Sequence, residues 1–273
     1  MFEQIRPKDW KSARALAQDL FGWGANWGFR GHSDASWKLV TTFERAAGIY
    51  EHPAASRLQT EDKMLKHFKR RAHLYLSDPP AWENELEWLA LIQHYGGPTR
   101  LLDFSRSFYV AAFFATERAE SDAAVWAIKI DEEEGSRDLA YYYKQVKRGK
   151  SPKMPQESKV SRVEPERMNQ RLSIQQGFFL FPHNISVPFI DNLAGTLRLS
   201  PKKLQAMIDK KPMVKDTKGL KIANLRIVQI ILGREIHKSI LSDLKAMNVT
   251  SESLFPGLDG FARSLFFHLT LPK

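Results

Sequence analysis

A chain of 273 residues with 43% hydrophobic and 26% charged residues has enough apolar surface to bury a core, which excludes intrinsic disorder. It contains no Cys, which excludes disulfides, thiolate metal sites and a Cys nucleophile and favours a reducing, cytoplasmic setting. The formal net charge of +10 excludes an acidic polypeptide and predicts either attraction to polyanions (nucleic acid, anionic lipid, or a nucleotide or other phosphate-bearing cofactor) or a basic surface that is only solvated.

Near the start, Trp10, Ala13, Leu16 and Leu20 recur at helical spacing and predict a helix over 8–20. The opening residues carry no apolar targeting segment. Apolar stretches such as Ile227–Leu232 are far too short to span a bilayer, so a soluble protein with no membrane partner is expected. A Gly- and Trp-rich stretch over 22–28 ends the first helix. Strands are predicted at 27–30 and 37–40, with turn chemistry at Ser33-Asp34-Ala35-Ser36 between them. Residues 56–95 read as helical, broken at Asp78-Pro79-Pro80. The amphipathic run over 82–92 leads into His94-Tyr95 and is stopped by Gly96-Gly97-Pro98. A short buried strand over 101–104, a helix over 108–119 and a strand over 124–130 follow.

The polar span 131–163, with Lys144, Lys147, Arg148, Lys150 and Lys153, is predicted to be a basic loop or insertion. A strand at 178–181 is ended by Pro182. A lysine-rich insertion is expected over 201–219, a strand over 225–232, and a helix over 235–247 with Ile236, Ile240, Leu241 and Leu244 on one face. A last helix begins after Pro256-Gly257. No repeat and no linker divides the chain, so one α+β domain over 1–273 is predicted, a central mixed or antiparallel sheet with helical insertions.

Three polar segments could carry chemistry. In Phe29-Arg30-Gly31-His32-Ser33-Asp34, the Arg30 guanidinium suits bidentate binding of phosphate or carboxylate, and Gly31 lets a ligand approach the backbone. The structural alternative buries Arg30 against a carboxylate. In Gln93-His94-Tyr95-Gly96-Gly97-Pro98-Thr99-Arg100-Leu101-Leu102-Asp103-Phe104-Ser105, His94 could act as general acid or base, and Arg100 and Asp103 flank an apolar pair. The alternative there is that Arg100 and Asp103 neutralise each other. In the third segment, Arg171 with Gln175 and Gln176 could read a ligand by paired hydrogen bonds, or the segment is a helix end with Gly177 as its cap. No phosphate-cradling glycine loop, dinucleotide fingerprint, His-Glu-x-x-His or nucleophile elbow is present, and the eight His show no metal-site spacing.

Phe29-Arg30-Gly31 followed by Asp34, Trp37, Leu39 and Arg45 resembles the motif that names the FRG domain. Gln93-His94-Tyr95-Gly96, Pro98 to Asp103 and Ala111-Ala112-Phe113-Phe114-Ala115 are similar to that family's second block. Arg171 with Gln175-Gln176-Gly177-Phe178 resembles its third block, and Leu254-Phe255-Pro256-Gly257-Leu258-Asp259-Gly260 its C-terminal tail. His32 stands where the family commonly has Gln, and Phe104-Ser105 where it has Trp-Thr. The resemblance implies a bacterial or phage-related effector or defence protein.

A more distant likeness to ADP-ribosyltransferases implies NAD as cofactor, with Arg30 on its pyrophosphate or ribose. Gln175 then stands where that fold places a Glu, and a neutral amide stabilises an oxocarbenium less well. The site predicted on these grounds has His94, Asp103 and Gln175 as catalytic candidates. Arg30, Gly31, His32, Tyr95, Thr99, Arg100, Ser105, Arg171 and Gln176 are its ligand-binding candidates. A non-catalytic nucleotide- or nucleic-acid-binding module is the alternative. A hydrolase with His94 as base and Asp103 holding a metal is a third reading.

Overall fold

The computed structural model describes residues 2–21, 26–130, 157–209, 213–214 and 225–266. The five basic residues between 144 and 153 and the stretch 22–25 lie outside the described residues, as do 210–212 and 215–219 of the second predicted insertion and 220–224 after it.

The molecule is built on one eight-stranded mixed sheet. In chain order its strands are β1 (Phe2–Ile5), β2 (Trp27–His32), β3 (Leu102–Ser105), β4 (Ala123–Lys129), β5 (Val160–Val163), β6 (Gly177–Pro182), β7 (Met213–Val214) and β8 (Ile227–Leu232). In space they run β5-β6-β3-β2-β4-β8-β1-β7. All neighbours are antiparallel except β8-β1 and β1-β7, which are parallel. The central strands β4 and β8 are buried on both faces, hence their unbroken apolar runs rather than alternation.

Helices cover both faces. On one side α1 (Trp10–Phe21), α5 (Phe108–Thr116) and α9 (His237–Ala246) pack against Phe29, Val125, Ala127, Val228 and Ile230. On the other, α7 (Phe189–Thr196) and α8 (Pro201–Asp209) pack on Phe104, Trp126, Phe178 and Ile227. α3 (Arg57–Ala72) and α4 (Glu85–His94) form a further cluster with Leu101, Phe179 and Phe181. Short helices complete the chain: α2 (Thr42–Ile49), α6 (Gln170–Ile174), α10 (Ser251–Leu254) and α11 (Leu258–Ser264).

Local chemistry sets the helix starts. Thr41, Asn84, Ser107 and Asn169 each accept a backbone N–H three residues on, as N-caps do. Among the described residues no helix is long and apolar enough to cross a membrane.

Most predicted elements are present, and four readings need correction. Residues 37–40 form no strand; only Leu39 is buried, in the core cluster with Phe104 and Trp126. The span 131–163 ends in β5, whose Val160 and Val163 are buried. Within 201–219, residues 201–209 fold as α8, which seats Leu204 in the core. Gly177 is not a helix cap but the first residue of β6. The left-handed turn after α6 is made by Gln176 at φ 49°.

Candidate functional site

β2 and β3 share a single residue pair, Phe29 with Ser105. Beyond it the two strands part, and a cavity of about 760 Å³ opens at the split. That is ample room for a small-molecule ligand, which typically needs about 300–1,000 Å³. Three of the four sequence blocks reach its wall, and the fourth braces it.

From β2 come Arg30, Gly31 and His32. His32 is buried, and its Nδ1 lies 3.2 Å from the Trp37 carbonyl. A carbonyl only accepts, so Nδ1 carries the proton and Nε2 accepts from Arg30 Nε at 3.2 Å. Burial and the neighbouring Arg30 push His32 down to about 3, so it is neutral at physiological pH. Arg30 Nη1 donates to the Asp103 carbonyl at 2.7 Å, while the Asp103 carboxylate stands 3.7 Å away. The guanidinium is therefore aimed by two neutral acceptors and paired at longer range with the Asp103 carboxylate, so both charges face the cavity together. Burial presses the pKa of Arg30 downward, yet an Arg remains charged at any working pH.

α4 and β3 supply the opposite wall. Asp103 is exposed on β3 and accepts from Gln93 Nε2 at 2.8 Å. Gln93 Oε1 in turn accepts from Thr99 Oγ1 at 2.6 Å, which fixes the orientation of the amide. His94, at the end of α4, is lowered by burial and then by Arg171. Ser105 Oγ donates to the Gln175 carbonyl at 2.7 Å and accepts from the Ser107 amide at 2.9 Å, so it ties β3 to the α6 turn.

α6 brings Asn169 and Arg171, and Gln175 follows at its end. Gln175 Nε2 donates to the Leu254 carbonyl at 3.0 Å. Arg171 lies 4.6 Å from the centre of the Phe255 ring, and Arg263 lies 4.3 Å from the same centre. An aromatic face holds a cation without neutralising it. Burial and then Arg263 lower the Arg171 pKa, partly offset by Asp103. The C-terminal block thus supports the site from behind.

Arg30, Lys38, Arg45 and Arg171 line the cavity with four cations, against Asp103 as the single carboxylate among the described lining residues. Such a surface attracts an anion. No cluster of three or more His, Asp or Glu suited to a metal occurs among the described residues.

Of the predicted residues, Arg30, Gly31, His32, His94, Asp103, Ser105, Arg171 and Gln175 come together here. Tyr95, Thr99, Arg100 and Gln176 do not line the cavity. Tyr95 and Gln176 point to solvent. Thr99 is buried and serves Gln93. Arg100 is a core residue: its Nε donates to Glu61 Oε1 at 2.8 Å, its Nη2 to Glu61 Oε2, and its Nη1 to the His183 carbonyl at 2.8 Å. It does not pair with Asp103 and does not line the cavity. Gly31 also acts differently from expectation. A Cβ there would overlap the Ala111 carbonyl oxygen and lie 2.6 Å from Ala115 N, so the close approach is to α5.

Gln93, Lys38, Arg45 and Asn169 line the cavity without having been predicted. Gln93 and Arg45 stood in the quoted motifs, and the Thr41–Glu44 start signal of α2 could have placed Arg45 on an exposed face.

Neither the curated proteins nor the solved structures yield a match to this chain. Residues 25–124 match the family model described as the FRG domain. That stretch holds β2, α4, β3 and α5, two walls of the cavity, while Arg171 and Phe255 lie outside it. Over residues 25–124 the chain is therefore similar to the FRG domain, and the first two sequence blocks face each other across the split sheet.

Proposed function

We propose that the cavity binds a nucleotide-class ligand. Phosphates would sit among Arg30, Arg45, Lys38 and Arg171, and the Gln93-anchored Asp103 carboxylate would accept from ribose hydroxyls. The observation that carries this reading is the convergence of four cations and one fixed carboxylate at a gap in the sheet. Phosphate recognition wants the cations; a sugar diol wants the carboxylate.

Calorimetric titration with ATP, NAD, ADP-ribose and inorganic phosphate tests it. Binding of at least one nucleotide is expected, tighter than phosphate alone, and Arg30→Ala should weaken it at least about tenfold, the loss of one charge-assisted pair. No binding by any of the four, or an unchanged affinity in the variant, would rule the reading out.

Asp103 also favours a second, catalytic reading, NAD-dependent ADP-ribosyl transfer. Nicotinamide would leave with the electron pair of its ribosyl bond, the positive charge growing at the sugar would face the Asp103 carboxylate, and an oxygen or nitrogen of the target would form the new bond to the anomeric carbon and lose its proton to solvent. Gln175 carries no charge and would only orient. Nicotinamide release from NAD in the presence of tRNA, DNA or lysate is the measurement; intact NAD in all three leaves a non-catalytic binding module.

A metal-assisted hydrolase is less well supported, because four cations around one carboxylate repel a divalent ion. A nuclease activity abolished by EDTA would reverse that ranking. The role of bacterial or phage-related effector rests on the family resemblance, and growth arrest on expression, relieved by Arg30→Ala, is its test.

A further inference from the structure

α3 has two chemically opposite sides. Leu65, Phe68 and Ala72 pack into the core with α4, whereas Lys63, Lys66, His67, Arg70 and Arg71 are all exposed. Steps of three, four, seven and eight residues from Lys63 put these five on one side of the helix, within about 12 Å along its axis. No carboxylate pairs with Lys63, Lys66 or Arg70 among the described residues. Arg71 Nη1 hydrogen-bonds the His67 ring, and an imidazole is not an anion that could cancel the guanidinium.

Aromatic rings continue the surface at the C-terminal end of the helix. Tyr75 is 84% exposed, and Trp82 is 51% exposed. Lys69 Nζ donates to the Trp82 carbonyl at 2.8 Å and lies 5.5 Å from the indole centre. One ring is thus held in place with much of its area open, next to a row of unneutralised cations.

We propose that this surface, the outer side of α3 with Tyr75 and Trp82, binds single-stranded nucleic acid. Closely spaced cations track a phosphate backbone, and open ring faces stack bases without regard to sequence. A lipid surface fits less well, since an interfacial helix buries its apolar side in the bilayer and that side of α3 is already used by the core. The site is separate from the cavity and does not depend on what the cavity binds.

The test uses the full chain with fluorescein-labelled dT20 and rU20, a 20-base-pair duplex, and vesicles containing phosphatidylserine. Single strands should bind with an affinity that falls steeply with salt. In K63A/K66A/R70A the slope of log affinity against log salt should shrink by about 2, at about 0.7 per lost phosphate contact, with thermal stability unchanged. Tyr75→Ala should weaken binding at least about fivefold, the loss of one stacked base. Nucleotide titration of the triple variant should match the parent, which separates this surface from the cavity. No binding at low salt, equal binding by the triple variant, binding of vesicles alone, or a duplex bound as tightly as the strands with no effect of Tyr75→Ala would each overturn the proposal.

Discussion

Arg30 and Arg100, one from each of the first two sequence blocks, have opposite fates, and the difference lies in their acceptors. Arg100 meets a carboxylate, Glu61, in the core, with a further backbone carbonyl and the Phe181 ring 5.2 Å away. Removing one partner of a buried pair leaves the other charged and dry, so Arg100→Ala should destabilise the fold by about 3–5 kcal/mol in urea titration. Arg30 meets an imidazole nitrogen and a carbonyl, and its carboxylate neighbour Asp103 is exposed at 3.7 Å, so its replacement should move the unfolding midpoint far less. His32 gives this arrangement a pH signature. Its folded pKa, about 3, lies below the usual value near 6.5, so the unfolded chain takes up a proton first as pH falls. Its contribution is complete above about 6.5 and is lost as pH drops toward 3. His32→Gln, with no titrating ring, should flatten the stability profile across that window; an unaltered profile would show that His32 is not its source.

At the level of elements, the contact of β2 with α5 is as tight as backbones allow. Gly31 sits under Ala111 and Ala115, where any side chain meets main-chain atoms that cannot swing aside. Gly31→Ala should cost about 1–3 kcal/mol, read by chemical denaturation, as overpacking does. The apolar strands and amphipathic helices were legible in the sequence because burial leaves a period behind. β1 escaped because four residues with Phe2 and Ile5 buried are too few to show one, and β5 because only Val160 and Val163 mark it within a polar span. The site was legible in part. Arg30, Asp103 and Arg171 could be named from residue type, but nothing local to Arg100 says that Glu61, 39 positions earlier, will claim it. Strand register, which opens the cavity, leaves no local trace.

Across the whole molecule, a block far along the chain controls a cation in the cavity. Phe255 is packed between Arg171 and Arg263, and Gly260 lets α11 close on it, since a Cβ there would lie 2.8 Å from the Phe255 carbonyl carbon. Phe255→Leu preserves apolar packing and removes the π face, so nucleotide affinity should fall about two- to fivefold while the unfolding midpoint moves little. Unchanged affinity would mean that Arg171 holds its place without the ring. Among the described residues the sheet divides into a three-strand flap and a five-strand slab, stitched by the Phe29–Ser105 pair and by the bond from Arg30 to the Asp103 carbonyl. Anything gripping Arg30 on one piece and Asp103 on the other then works as a splint, and amide exchange should slow in both at once when the space is filled.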